Sequence, residues 1–170
     1  DSRHCIIETL AGLLDCEAVG NGLVSVDMGP ANLDWRDIPL SEAIDTLHLN
    51  IGSGPLQDPV GVNMGNPHAI FFVDDAEAVD LDIHGPIIEH HKLFPRRVNV
   101  EAAQIISPEH IRLRVWERGV GETLACGSGA CATLVAACRR GLTERQVNID
   151  LNGGTLQLQW MPDNHVMMTG

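Results

Sequence analysis

The sequence predicts an α+β fold in which a mixed β-barrel, or a strongly curved sheet, wraps around one central buried helix. Three observations carry this. Short alternating or β-branched runs dominate the 170 residues, and Gly, Pro and Asn turn signals separate them. The stretch from Ser128 to Arg140, SGACATLVAACRR, reads as a helix that is apolar on every side, since Ala130, Cys131, Ala132, Leu134, Val135, Ala136, Ala137 and Cys138 leave no polar stripe. Such a helix has to be enclosed all round, and its small side chains let the enclosing strands come close.

Taken in order, candidate strands fall at 5–9, 23–28, 60–64, 69–73, 98–106, 111–116, 147–151, 155–160 and 165–169. Asn152-Gly153-Gly154 and Pro162-Asp163-Asn164 join the last three at hairpin spacing, which predicts a meander. A first short helix is expected over Ser41–Leu47, with Ser41 as N-cap. A second is expected over Asp82–Lys92, its regular part confined beyond Gly85-Pro86. The third is the enclosed one. Arg139 and Arg140 complement the negative end of its dipole, and Gly141 suits the C′ position. No low-complexity linker divides residues 1–170, so a single domain is expected.

Composition excludes several function classes. A formal net charge of -12 argues against nucleic acid and anionic membranes, which are bound by clustered Lys and Arg. No run approaches ~20 apolar residues, so no transmembrane helix is expected. An odd count of five cysteines without framework spacing fits free thiols in a reducing compartment, the cytoplasm. There is no initiator Met, and HVMMTG breaks off within a strand, so Asp1–Gly170 reads as an excised domain.

The chemistry concentrates where the enclosed helix begins. The first N–H groups of a helix lack internal partners and carry partial positive charge, so the mouth is an anion site. Gly127 and Gly129 let a small anion approach without Cβ interference, and Cys126 stands beside them, where the same field favours a thiolate. One feature thus offers a carboxylate clamp next to a nucleophile or base. Cys5, Cys16, Cys131 and Cys138 read instead as small core hydrophobes. GSGACA loosely matches a dinucleotide fingerprint, but no hydrophobic strand feeds it. His90-His91 point in different directions on a helix, and neither C-x-x-C nor H-x-x-x-H occurs, so no metal is expected. Asn66 and His68 in MGNPHAIFF, Asn99 in RRVNVEAA and Glu117-Arg118 in VWERGVGET are each ordinary turn or surface residues taken singly. Together they could supply the amide, carboxylate and guanidinium groups that recognise an amino acid.

The motifs MGNPH, FPRRVNVE, VWERGVGET and ACGSGACAT, in this order and with these gaps, resemble the diaminopimelate epimerase family, and LAG, VDMG and IPL earlier in the chain fit as well. The resemblance runs from about Leu10 to the end. It implies epimerisation of LL- to meso-diaminopimelate, in lysine and peptidoglycan-precursor biosynthesis, without any cofactor. Two cysteines on opposite faces of the α-carbon would act, one removing a proton as thiolate and the other returning one as thiol. By motif, Cys126 is similar to the family's second catalytic cysteine. His68 and Glu117 match residues that assist the thiols, and Asn66, Asn99, Glu117, Arg118, Gly127 and Ser128 match substrate-holding positions. The implied architecture has two pseudo-symmetric halves, each a barrel around a helix.

The family's other cysteine, in a CGNG-like motif, is absent here, and the sole GNG, Gly20-Asn21-Gly22, reads as a turn between strands. The chain is therefore expected to be the C-terminal half of an epimerase, partnered by a missing N-terminal domain and inactive alone; a homodimer of the parent enzyme stays open. Two rival readings remain at this point: another amino-acid racemase of the same fold, such as a proline racemase, and a small-anion binding module without catalysis.

Overall fold

The computed structural model describes residues 3–9 and 12–170; Leu10 and Ala11 of the LAG motif, with Asp1 and Ser2, lie outside the described residues. The chain opens with β1 (His4–Thr9), β2 (Gly12–Gly20) and β3 (Leu23–Pro30). After a long loop come two short strands, β4 (Gly52–Ser53) and β5 (Leu56–Gln57), then β6 (Val60–Asn63) and β7 (Pro67–Phe72). Helix α1 (Leu81–Glu89) leads to β8 (Asn99–Ser107), β9 (His110–Glu117) and β10 (Gly121–Thr123). Helix α2 (Gly127–Arg139) and the strands β11 (Gln146–Leu151), β12 (Gly154–Trp160) and β13 (His165–Thr169) complete the order.

All but β4 and β5 join one mixed sheet in the order β1-β2-β3-β13-β12-β11-β9-β8-β7-β6, with β10 beside β9. Two pairs are parallel, β7 with β8 and β9 with β11, and each is connected through a helix, as a parallel pair requires. The two crossover helices take opposite faces of the sheet. On the side of α2 lie Val60, Val62, Ile70, Ile111, Leu113, Val115, Val147, Ile149, Leu158 and Val166. Leu81 and Ile88 of α1 share the other side with Ala69, Phe71, Val100 and Ala102. Strands β7 and β8 are thus buried on both faces, which is why PHAIFF shows no polar alternation.

The sheet curves around α2 without closing into a barrel. Beyond β3, Asn32 meets Asn63 of β6 in an isolated bridge of two backbone hydrogen bonds, each 2.9 Å, and this is where the sheet's far strand returns to the chain that follows β3. The expectation of a curved sheet on a central helix therefore holds, in its open form. Residues Ala130 to Ala137 of α2 have no exposed surface at all. Its end is a Schellman motif: Gly141 has φ +68° and donates to the Cys138 carbonyl, while Leu142 donates to Ala137. Arg140 then reaches back to the Leu47 and Asp58 carbonyls, and Arg139 to Gly61 and Thr46, pinning the 46–61 loop to the helix.

The other helix expectations are corrected. Residues 41–47 form bends and turns, not a helix. Ser41 donates its N–H to Leu93, Asp45 accepts from the Leu47 N–H at 2.9 Å, and the Thr46 hydroxyl donates to Leu33. These side-chain and long-range partners outcompete a helix too short to nucleate well. Helix α1 is capped by Asp80, whose carboxylate accepts from Ile83, and it runs regularly through Gly85-Pro86. Gly85 is there because a Cβ would meet the Trp116 ring at 2.5 Å. Strand β2 and the short β4, β5 and β10 are additional to the predicted set. The turn between β2 and β3 is Asn21-Gly22, with φ of +54° and +78°, matching a type I′ hairpin.

Candidate active site

Alternation along three neighbouring strands builds the site. On β7, His68 shares the α2-facing side with Ile70; on β8, Glu101 shares it with Ala103; on β9, Glu117 follows Ile111, Leu113 and Val115. The apolar members of each set pack under α2. The polar members fall at the strand ends that meet the helix mouth.

Cys126 is the N-cap of α2. Its backbone is extended, with φ −139° and ψ 106°, and its Sγ accepts from the Gly129 N–H at 3.4 Å while standing 3.5 Å from Ser128 Oγ. The thiol is 8% exposed. Both glycines of GSG have steric reasons. A Cβ on Gly127 would lie 3.1 Å from Met168 Sδ, and one on Gly129 would lie 3.0 Å from Glu101 Oε1 and 3.3 Å from Cys126 Sγ. His68 is completely buried; its Nδ1 is 2.5 Å from Glu101 Oε1 and its Nε2 is 2.9 Å from Asn66 Oδ1.

Asn66, Arg118 and Ser128 line one cleft of about 870 Å³, together with Met64 and Asn32. Its far wall comes from β2, β3 and β13, where His165 Nδ1 pairs with Asp27 at 2.9 Å. Asn99 does not present a free amide there. Its Nδ2 donates to the Pro67 carbonyl at 3.0 Å and its Oδ1 accepts from the Arg118 N–H at 2.8 Å, so it fastens the Asn66 loop to the Arg118 turn. Glu117 lines a different, shallower depression with Thr123, Leu124 and Ala125, and accepts from the Thr123 hydroxyl at 2.6 Å. Its negative charge still acts on Cys126.

The expectation that the helix mouth leaves Cys126 a thiolate is reversed in this chain. Burial pushes its pKa from 9.0 up to about 11; the Ser128 and Gly129 hydrogen bonds pull it down, and the charges of Glu101 and Glu117 push it further up. Burial also raises Cys131, deep in α2. Both thiols hold their protons more tightly folded than unfolded, so the stability this confers is complete below about pH 9 and is lost as the pH rises through the folded values. Alkylation with iodoacetamide, followed residue by residue by mass spectrometry, is expected to give Cys126 a midpoint near 11 and to leave Cys131 unmodified while the chain is folded. A Cys126 midpoint at or below 9.0 would show that the helix field overrides burial.

Among residues that sequence reasoning passed over, Glu101, Asp27 and His165 are the clearest. Glu101 had a signal: in Asn99-Val100-Glu101 the two polar residues alternate onto one face of an otherwise apolar strand. Asp27 and His165 had none, because their pairing depends on β3 lying beside β13.

A curved sheet on an enclosed helix is a fold this chain shares with proteins of known structure, among them an epimerase and a phenazine biosynthesis protein. The structure is similar to a hydroxyproline epimerase from Agrobacterium vitis, with a TM-score of 0.66 and 16% identity, covering 100% of this chain and 57% of that one. It is also similar to a PhzF-family phenazine biosynthesis protein from Bacillus anthracis, with a TM-score of 0.63 and 14% identity, covering 100% of this chain and 66% of that one. The diaminopimelate epimerase family model matches residues 60–170, and the chain belongs to that family. Diaminopimelate epimerase of Rhodospirillum centenum is 63% identical over 164 residues, which are 96% of this chain and 56% of that protein. That of Acidiphilium cryptum is 55% identical over 169 residues, 99% of this chain and 61% of the relative. The chain thus spans little more than half the length of these curated relatives.

Proposed function

We propose that the full-length protein epimerises LL- to meso-diaminopimelate without a cofactor, and that this chain supplies one of the two thiols. The observation that carries the reading is the position of Cys126: it caps an enclosed helix whose mouth opens beside the cleft lined by Asn66, Arg118 and Ser128. The names of the curated relatives supply the substrate. In this reading the α-carboxylate is held by the α2 N–H groups of Gly127 and Ser128 with help from Arg118, and the α-carbon rests against Cys126 Sγ. Asn66 contacts the substrate, Asn99 sets the loop that carries it, and His68 and Glu117 assist proton transfer.

An α-proton beside an ionised carboxylate is a very weak acid, so its removal calls for a site closed to water and lined with donors. Cys126 in its protonated form suits the thiol that returns a proton. The opposing thiolate comes from outside this chain, in an N-terminal domain that we place over the exposed apolar residues Ile6, Ile7, Leu13 and Val19 of β1 and β2. Residues 1–170 then constitute the C-terminal half and are inactive alone. All five cysteines are free thiols, which fits work in the cytoplasm on the route to lysine and peptidoglycan precursors.

The competing reading, epimerisation of a proline-type amino acid, is favoured by the likeness to the hydroxyproline epimerase. Incubating the full-length protein in D2O with LL-diaminopimelate, and separately with proline and hydroxyproline, decides between them. Deuterium at one α-carbon of diaminopimelate, with conversion to the meso form, is the expected result, and residues 1–170 alone are expected to do neither. Exchange confined to the cyclic amino acids would overturn the proposal.

A further inference from the structure

Glu101 has no exposed surface, and neither has His68, its partner. Its Oε2 makes no hydrogen bond of normal geometry, the Ala69 backbone N–H acts weakly on the carboxyl, and Oε1 lies 2.5 Å from His68 Nδ1. The far side of the imidazole fixes the proton count. Asn66 Oδ1 can only accept, so at 2.9 Å it takes a hydrogen from His68 Nε2. One further proton then lies between Nδ1 and Oε1. If it sits on nitrogen, the pair is carboxylate and imidazolium; if on oxygen, it is carboxylic acid and neutral imidazole. Either way the pair has no net charge. That is the state burial favours, since a lone buried carboxylate with an unpartnered oxygen is costly.

We infer that Glu101 is a positioning residue of this site, sharing one proton with His68 so that a neutral buried pair stands behind Cys126 and His68 keeps a protonated Nε2 on Asn66, which lines the cleft. This rests on the epimerase reading of the same site and deepens it. Two consequences follow. When Nε2 releases its proton toward the reacting groups, Nδ1 takes the proton held with Glu101, so the imidazole stays neutral and Glu101 becomes the carboxylate; return of a proton to Nε2 reverses both transfers. In addition, the negative share of the pair is the one nearest the helix mouth, because Oε1 faces Gly129 across a gap too small for a methyl group. Glu101 thereby joins Glu117, from the end of β9, in opposing ionisation of Cys126 from α2, while His68 from β7 acts on the Glu101 carboxyl itself. Burial, moderated by His68, raises the carboxyl's own pKa, in keeping with a shared proton.

The test is Glu101→Gln in the full-length protein, with Glu101→Asp as the conservative variant. Glutamine keeps the volume and can donate to Nδ1, so the thermal midpoint should stay near wild type, but it carries no charge and relays no proton. The alkylation midpoint of Cys126 is expected to fall by on the order of one pH unit. Turnover on diaminopimelate is expected to fall roughly 10²-fold with KM changed less than about threefold, and the aspartate variant to recover part of it. An unchanged alkylation midpoint overturns the inference whatever happens to turnover. So does a loss of activity matched by a lowered thermal midpoint and not relieved by aspartate, which is the signature of a purely structural role. If wild-type protein fails to invert diaminopimelate, the epimerase reading falls, and the alkylation midpoint alone decides the role of Glu101.

Discussion

Full-length protein carrying Cys126→Ala is expected to lose diaminopimelate inversion by at least about 10³-fold, within the range that positioned proton-transfer groups contribute. Inversion needs a proton removed on one face of the α-carbon and another delivered on the opposite face. A methyl group at position 126 can do neither, and no other thiol of α2 can take its place on this face: Cys131 is sealed inside the helix, and Cys138 lies near its far end. Binding should survive, because the helix-mouth N–H groups, Ser128 and Arg118 remain. Chiral separation of the products gives turnover, and a titration with meso-diaminopimelate gives affinity. Cys126→Ser is the control for capping, since a hydroxyl accepts from Gly129 at least as well as sulfur does but is a far weaker acid. Turnover within about tenfold of wild type in the alanine variant would remove Cys126 from the mechanism.

Leu134→Ala is expected to cost about 2–5 kcal/mol of stability. Leu134 is the largest side chain on the enclosed face-to-face run of α2 and has no exposed surface. Its neighbours along the helix are Ala, Cys, Thr and Val, too short to swing into the space it leaves, and the strands around it are held by their own ladder. The cavity should therefore persist. Urea unfolding of the full-length protein, followed by circular dichroism, measures the change, with Leu134→Met as a nearly volume-neutral control expected to cost less than ~1.5 kcal/mol. A cost below ~1 kcal/mol for the alanine variant would mean that the sheet can close down on the helix.

How much of this was legible in the chain itself varies with the range of the interaction. The enclosed helix was, because its composition leaves only one environment in which it is stable. Its boundaries were too, since Cys126 and Gly141 are local signals. The strands from β6 onward, the three-residue β10 apart, were readable because their runs are bounded by turns. The Ser41–Leu47 helix failed for a reason the local pattern cannot contain: Ser41 and Thr46 bond to Leu93 and Leu33, remote in sequence. At the site, the cluster of motifs indicated Cys126, Asn66, Arg118 and Ser128 as neighbours, and these three polar residues do share a cleft next to the thiol. The position of Glu117 in a separate depression, the use of Asn99's amide as a fastener, and the burial that outweighs the Ser128 and Gly129 hydrogen bonds at Cys126 all depend on depth and direction, which spacing does not encode.

The neighbour relation of β3 and β13 also has a consequence for how the chain is made. Ser25 pairs with Thr169 and Val26 with Met168, so strands more than a hundred residues apart form adjacent rungs of one ladder. During synthesis β3 can fold back on β2 at once, but its other edge has no partner until residues 165–169 have left the ribosome. Contacts of such long sequence separation are costly in chain entropy and form late. Translation speed and chaperone occupancy along residues 31–164, rather than the intrinsic stability of the finished sheet, should then govern the yield of correctly assembled protein.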